Sequence, residues 1–429
     1  MLAQLSSLVI RGSVLLAGLL SNVLLARWLG VAHFGEYVLL ASVLLLPSQA
    51  LGTTNLQLLT RAVGRMPADC MQIRFLGLGA LLAWNLAVIL TLAGGLLLCM
   101  KRGWLVIDAA NHHHLLVLCL STAFLMATCG AQQGILRGLG LTSLSEYPVI
   151  VGRAVLGLVG LVLLAGGSWL SVPRALAIQP VTLLLIVLFY FWILKHQVTG
   201  AQSVGSGLPR SRDPSASYLT VLIVSSLAPL TAILGVFGAG ILGDRIDVAN
   251  LRVAESLAML VGLPQVWANV AVSPRFAHFW AENNIRSMQD EYAKNAREAF
   301  LMAALIALLL LLFGNPLVAF LYGPSFANSL TSVLLPLTLG HLISAYAGSS
   351  GQLLIMAGCA RWALLSQILG VAAAVIMMQM LFAEFGLSGI ASATSLGIII
   401  TNLAARTFVR LRLRIALPLW LFSRNLAAD

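Results

Sequence analysis

The chain reads as long apolar blocks divided by short polar stretches. A block of roughly 20 mostly apolar residues is long enough to cross a bilayer as a helix. Twelve segments meet that length. In the first half they are 7–26, 37–59, 73–100, 115–136, 147–165 and 172–194. In the second half they are 218–242, 253–272, 299–322, 329–357, 362–382 and 387–409. Between the two sets lies 196–217, the most loop-like stretch, which contains Gly205-Ser206-Gly207-Leu208-Pro209-Arg210 and falls at the midpoint of the chain. The pattern predicts an all-α integral membrane protein. Its parts are an N-terminal six-helix lobe over 1–195, a linker over 196–217 and a C-terminal six-helix lobe over 218–429 with a basic tail.

Composition sharpens this. Hydrophobic residues make up 60% of the chain and charged residues 9%, against roughly a quarter charged in soluble domains. So few polar groups cannot cover a water-facing surface, which excludes an ordinary cytosolic enzyme, a nucleic-acid binder and a disordered chain, despite a net charge of +11. The charge serves instead as an orientation signal. With a cytoplasmic N-terminus, eighteen of the 25 Lys and Arg residues fall in cytoplasmic loops and helix ends, so both termini and the linker are expected in the cytoplasm. Arg11 interrupts the first apolar block, and Leu24-Leu25-Ala26-Arg27 is a poor cleavage site, so the first segment is expected to be an uncleaved spanning helix. The five cysteines share no C-x-x-C spacing, and neither a disulfide framework nor a zinc site is expected.

Against that background, the ionisable residues near membrane depth are the candidate functional groups. Arg11, Arg61, Arg137, Arg153 and Arg275 sit at expected cytoplasmic helix ends. Positive-inside bias and snorkelling explain such residues, but guanidinium forks there would also receive an anionic headgroup. Arg11 and Arg153 lie more than a turn inside their segments. Glu36 opens the second segment without a local partner, and helix capping and ion coupling stand equal for it. Glu255 follows Arg252 by three residues, which suggests an interfacial pair, with ion coupling as the alternative. His341 lies in the tenth segment between Pro336 and Gly348, where a histidine would be a proton acceptor, a sugar ligand or a hydrogen-bonded structural group. Pro47 and Pro264 occupy corresponding segments of the two halves and are candidate hinges. His112-His113-His114 reads as a solvated loop, and the stretch 273–298 as an exposed, charge-paired helix extension.

Enzyme signatures are missing. There is no G-x-x-x-x-G-K-[ST] loop, G-x-S-x-G elbow or H-E-x-x-H helix. The expected external loops are too short for the catalytic unit of a membrane glycosyltransferase or polymerase; the longest is about 101–114. No cofactor is expected.

Several motifs resemble a known family. Leu24-Leu25-Ala26-Arg27-Trp28-Leu29-Gly30 followed by Phe34-Gly35-Glu36-Tyr37 resembles the "ARxLGxxxFGxY" start of Wzx-type repeat-unit flippases. These O-antigen and exopolysaccharide transporters belong to the multidrug/oligosaccharidyl-lipid/polysaccharide exporter superfamily. Leu321-Tyr322-Gly323-Pro324-Ser325-Phe326 is similar to the family's "LFGPxF" turn. Gly351-Gln352-Leu353-Leu354-Ile355-Met356-Ala357-Gly358 is similar to "G-x-x-L-x-M-x-G", and 386–394 to the "GlxGaAxAT" start of helix twelve. The resemblance spans about residues 6 to 415. It implies two six-helix lobes around a central cavity in a bacterial inner membrane. It further implies a cargo of undecaprenyl-pyrophosphate-linked oligosaccharide, flipped from the cytoplasmic to the outer leaflet by alternating access. Implied partners are membrane lipids, a polymerase and a chain-length regulator. Leu15 and Ser21 stand where the superfamily's lipid II flippases carry arginines, which argues against a peptidoglycan precursor. A multidrug antiporter of the same superfamily is the alternative.

Overall fold

The computed structural model describes residues 2–64, 85, 89, 112–139, 141–198, 214–326 and 330–415, without the side chains of 2–15, 61–62, 64, 112–113, 214–221 and a few others. Every described element is helical. In a bilayer this follows from the backbone, whose N–H and C=O groups find no water and must pair within the segment.

The chain divides into two compact units, Met1–Ile233 and Leu234–Asp429. The first holds α1 (Leu2–Leu29), α2 (Val31–Gly64), α3 (His112–Gly138), α4 (Thr142–Tyr147), a π-turn (Pro148–Gly152), α5 (Arg153–Gly166) and α6 (Val172–Val198). Helix α7 (Pro214–Leu242) carries the division between units. The second unit holds α8 (Arg245–Ala281), α9 (Ile285–Leu321), α10 (Leu330–Ala347), α11 (Ser350–Met356), α12 (Ala360–Phe385) and α13 (Leu387–Leu413). The expected third segment, 73–100, apart from Asn85 and Ile89, and residues 199–213 of the expected linker lie outside the described residues.

Among the described residues, nine helical stretches are long and apolar enough to cross a membrane, and the protein is a multi-pass membrane protein. Helix α8 is not among the nine, because Arg252, Glu255, Gln265 and Asn269 interrupt its apolar run.

Small residues set the packing of the first unit. Helices α2 and α3 lie against each other, and on α3 the glycines Gly130, Gly134 and Gly138 recur every fourth residue. A methyl group on Gly130 would overlap the Gly52 carbonyl oxygen, and one on Gly134 would stand 2.8 Å from Leu59 Cβ. The backbones therefore approach to a distance that only glycine permits, the small-xxx-small mode of membrane helices. Asn55 Nδ2 donates to the Ala127 carbonyl across the same contact at 2.8 Å. Below it, Leu59, Val63, Ile135, Leu136, Ile186 and Tyr190 close a buried cluster that joins α2, α3 and α6.

Four expectations need correction. The tenth segment is not one helix: α10 stops at Ala347, Gly348 adopts φ +68°, and α11 starts at Ser350. The left-handed backbone at Gly348 reverses the winding that an uninterrupted helix requires. The stretch 273–298 is not a simple exposed extension but the tip of the α8–α9 hairpin, with Phe276, Met288 and Tyr292 fully buried. His112–His114 open α3 instead of lying in a loop. Glu36 does have a local partner, since His33 Nδ1 stands 3.7 Å from its Oε2. Its place in the second turn of α2, not the first, separates it from the N-terminal dipole.

Candidate functional site

The first unit builds a site around Arg153. Pro148 starts a π-turn in which the helix carries an extra residue per turn, and Arg153 follows it as the first residue of α5. Such bulges recur at functional sites because they re-aim side chains. The segment before it is clamped from two sides. Gln133 Nε2 of α3 donates to the Ser145 carbonyl at 2.8 Å, and the Tyr190 hydroxyl of α6 donates to the same oxygen at 2.5 Å. Gln132 of the same helix donates to the Val187 carbonyl.

Held by this frame, the half-buried Arg153 donates through Nη2 to Gln179 Oε1 of α6 at 3.2 Å. Among the described residues no carboxylate pairs with it; Glu146 is taken by Arg137 at 2.7 Å. A guanidinium with five donors and one amide acceptor has most of its hydrogen-bonding capacity left over. Isolated charges at membrane depth are costly, so among the described residues Arg153 stands out as a cation with a single neutral partner.

The other expected arginines differ. Arg275 is exposed and forms an ion pair with Glu291 across the α8–α9 hairpin. Arg11 and Arg61 fall on α1 and α2, and their side chains lie outside the described residues.

The second unit contains a cavity of about 380 Å³. Its polar lining is Gln265 and Asn269 of α8, His341 and Ser344 of α10, Ser349 and Gln352 at the helix break, Ser366 and Gln367 of α12, and Thr401 and Asn402 of α13. Met259, Val266, Ile355 and Ile398 supply apolar wall. None of the lining residues is Arg, Lys, Asp or Glu.

The helix break is fastened to α9. The Tyr292 hydroxyl donates to the Ala347 carbonyl at 3.0 Å and bonds Ser350 Oγ, and Ser349 Oγ donates to Asn295 Oδ1 at 2.8 Å. Gln265 Nε2 reaches Asn269 Oδ1 and Ser349 Oγ, but its buried Oε1 has no partner among the described residues. His341 makes room for itself against Gly262, where a Cβ would come within 2.9 Å of Nδ1. Arg406, the cation nearest in sequence to Asn402 and Ala405, is instead held over the Tyr346 ring at 4.6 Å and donates to the Tyr346 carbonyl.

Glu255 lies elsewhere on α8, 13% exposed, with Arg252 Nη1 at 3.7 Å from its Oε2. A Cβ on Gly235 would meet Glu255 Oε1 at 2.6 Å and Thr394 Oγ1 at 3.0 Å, which places α7, α8 and α13 side chains around it. Pro47 and Pro264 both lie inside long helices, α2 and α8. No group of three or more metal-ligating side chains occurs among the described residues.

No protein-family model matches the chain. No curated protein sequence matches it either. Solved structures do. An inward-facing multidrug resistance MATE family transporter of the MOP superfamily aligns with a TM-score of 0.68 at 16% identity, over 95% of this chain and 98% of that one. The lipid II flippase MurJ in an inward closed conformation aligns with a TM-score of 0.68 at 13% identity, over 94% and 87%. A MOP superfamily transporter from Pyrococcus furiosus, described as having a binding pocket of reverse polarity, aligns with a TM-score of 0.62 at 18% identity, over 94% and 93%. The chain shares the all-α membrane fold of these solved structures.

Of the cavity's lining, the sequence singled out His341 alone as a candidate functional residue. The cavity's signal was present as amides inside apolar segments, Gln265, Asn269, Gln352, Gln367 and Asn402, which a search for charged groups passes over.

Proposed function

We propose that this protein is a flippase that moves an undecaprenyl-pyrophosphate-linked oligosaccharide from the cytoplasmic to the outer leaflet of a bacterial inner membrane. The observation that carries the reading is Arg153, a guanidinium inside a spanning segment with an amide as its partner and no described carboxylate. A pyrophosphate supplies the oxygens that such a group lacks, in the bidentate geometry it prefers. Transport proceeds by alternating access, with Pro47 and Pro264 as bending points and no covalent bond changed. Direction follows from consumption of cargo outside, which keeps the return flux small. Arg137 and Arg275, held by Glu146 and Glu291, are secondary contacts that guide the headgroup.

Deletion in the native host tests the reading. Full-length lipid-linked units should accumulate on the cytoplasmic face while the assembling enzymes remain active. Units that reach the outer leaflet at the normal rate would refute it.

One observation favours a second reading, a multidrug antiporter. Glu255 is an embedded carboxylate, and carboxylates serve cation binding and proton exchange. In the flippase reading Glu255 is the ion-coupling group, and Arg252 beside it tunes its charge. The readings separate on cargo: an antiporter would lower cellular accumulation of cationic dyes, and a flippase would not.

A further inference from the structure

We infer that the cavity of the second unit is a neutral sugar subsite, with Gln265 and His341 as its hydrogen-bonding ligands. The inference rests on the flippase reading and locates where the uncharged part of that cargo is held.

Three features point to a ligand of this chemistry. The cavity's volume, about 380 Å³, falls within the ~300–1,000 Å³ of small-molecule sites. Its polar groups are amides, hydroxyls and one imidazole, so both donors and acceptors line it without net charge. Sugar hydroxyls and acetamido groups likewise donate and accept at one position and carry no charge. A cationic drug would find no carboxylate there and a phosphate would find no guanidinium.

The second feature is unused capacity. Gln265 is 6% exposed, and its Oε1 has no hydrogen-bond partner among the described residues. His341 makes no hydrogen bond among the described residues although both ring nitrogens can take part in one. Buried polar groups are nearly always satisfied, so one unsatisfied amide oxygen in the wall of a cavity, beside a half-buried imidazole with its capacity open, points to a ligand that enters it. Third, the wall was shaped for access: Gly262 leaves the space that the imidazole occupies, and the Gly348 break turns Ser349 and Gln352 inward in place of a continuous helix.

Water alone is the competing occupant, and a space of this size holds on the order of a dozen molecules. The test compares two probe classes on the full chain in nanodiscs. One is farnesyl pyrophosphate; the other is farnesyl pyrophosphate carrying N-acetylglucosamine or galactose. The wild type should bind at least one glycosylated probe more tightly, by about five- to tenfold for each hydrogen bond gained. His341→Phe and Gln265→Leu should erase that preference while affinity for farnesyl pyrophosphate stays unchanged. His341→Gln, which restores a donor and an acceptor, should recover it, and recovery also shows that the site still folds. A preference that survives both apolar substitutions overturns the subsite. So does a wild type that binds all probes equally, which leaves the flippase reading standing and assigns water to the cavity. A wild type that binds no probe overturns the flippase reading itself and the subsite with it.

Discussion

Replacing Arg153 with methionine separates a receptor from a structural residue, because only the structural role predicts a loss of stability. The substitution removes one hydrogen bond, Nη2 to Gln179 Oε1 at 3.2 Å, worth about 1 kcal/mol, and leaves an amide oxygen to be satisfied at a cost of about 1–3 kcal/mol. It also removes a charge whose placement at membrane depth costs about 2.5–3.5 kcal/mol on insertion scales. These contributions nearly cancel, so the melting temperature of Arg153→Met in detergent should match the wild type or exceed it. Binding of a prenyl pyrophosphate should fall sharply. A charge-assisted hydrogen bond is worth about 1.5–3 kcal/mol, which corresponds to a loss of about 10- to 150-fold. Arg153→Lys, with the charge but not the planar fork, should lie between. Thermal unfolding and ligand binding on the same preparations decide the matter. If Arg153→Met melts well below the wild type and its binding tracks the folded fraction, Arg153 is a structural residue and the receptor reasoning fails.

Other substitutions test the frame. Gly130→Leu should lower the melting temperature strongly, since its side chain has no space beside the Gly52 carbonyl and overpacking costs about 1–3 kcal/mol or more; an unchanged melting temperature would refute the close α2–α3 approach. Tyr292→Phe removes the hydroxyl that fastens Ala347 and Ser350 and should cost about 0.5–1.5 kcal/mol. Hydrogen exchange across 345–352 should rise with it, and unchanged protection there would contradict the fastening. Arg137→Ala should change stability by less than about 1 kcal/mol, because Arg137 and Glu146 are 33% and 32% exposed and solvent screens the pair. A larger loss, read by thermal unfolding, would mean the pair is structural.

Much of the helical layout was legible because length and apolarity are local properties. Segments such as 172–194 and 387–409 correspond to α6 (Val172–Val198) and α13 (Leu387–Leu413) within a few residues. The break at Gly348 was not read, since 329–357 stays apolar throughout and only the run Gly348-Ser349-Ser350-Gly351 marks the interruption. The glycines at 130, 134 and 138 showed their spacing in sequence, but their meaning depends on Gly52, far away along the chain. For the site, charge was a good guide in the first unit and a poor one in the second. Arg153 stood out as a cation more than a turn inside an apolar segment, whereas nothing in the sequence showed that Arg137 and Arg275 are held by Glu146 and Glu291. Those partners come from other turns and helices, so no local pattern announces them. The cavity is less local still, because its lining comes from four long helices and the Gly348 break.

The most direct test is a leaflet assay. Proteoliposomes holding the wild type would be loaded with undecaprenyl-pyrophosphate-linked oligosaccharide, and the fraction open to an external glycan-modifying reagent followed in time. A flippase predicts that lipid shielded in the inner leaflet becomes accessible, faster than in protein-free vesicles and slower with Arg153→Met. Lipid that stays as shielded as in empty vesicles, with cationic dye transported by the same preparation, would contradict the flippase and establish the antiporter in its place.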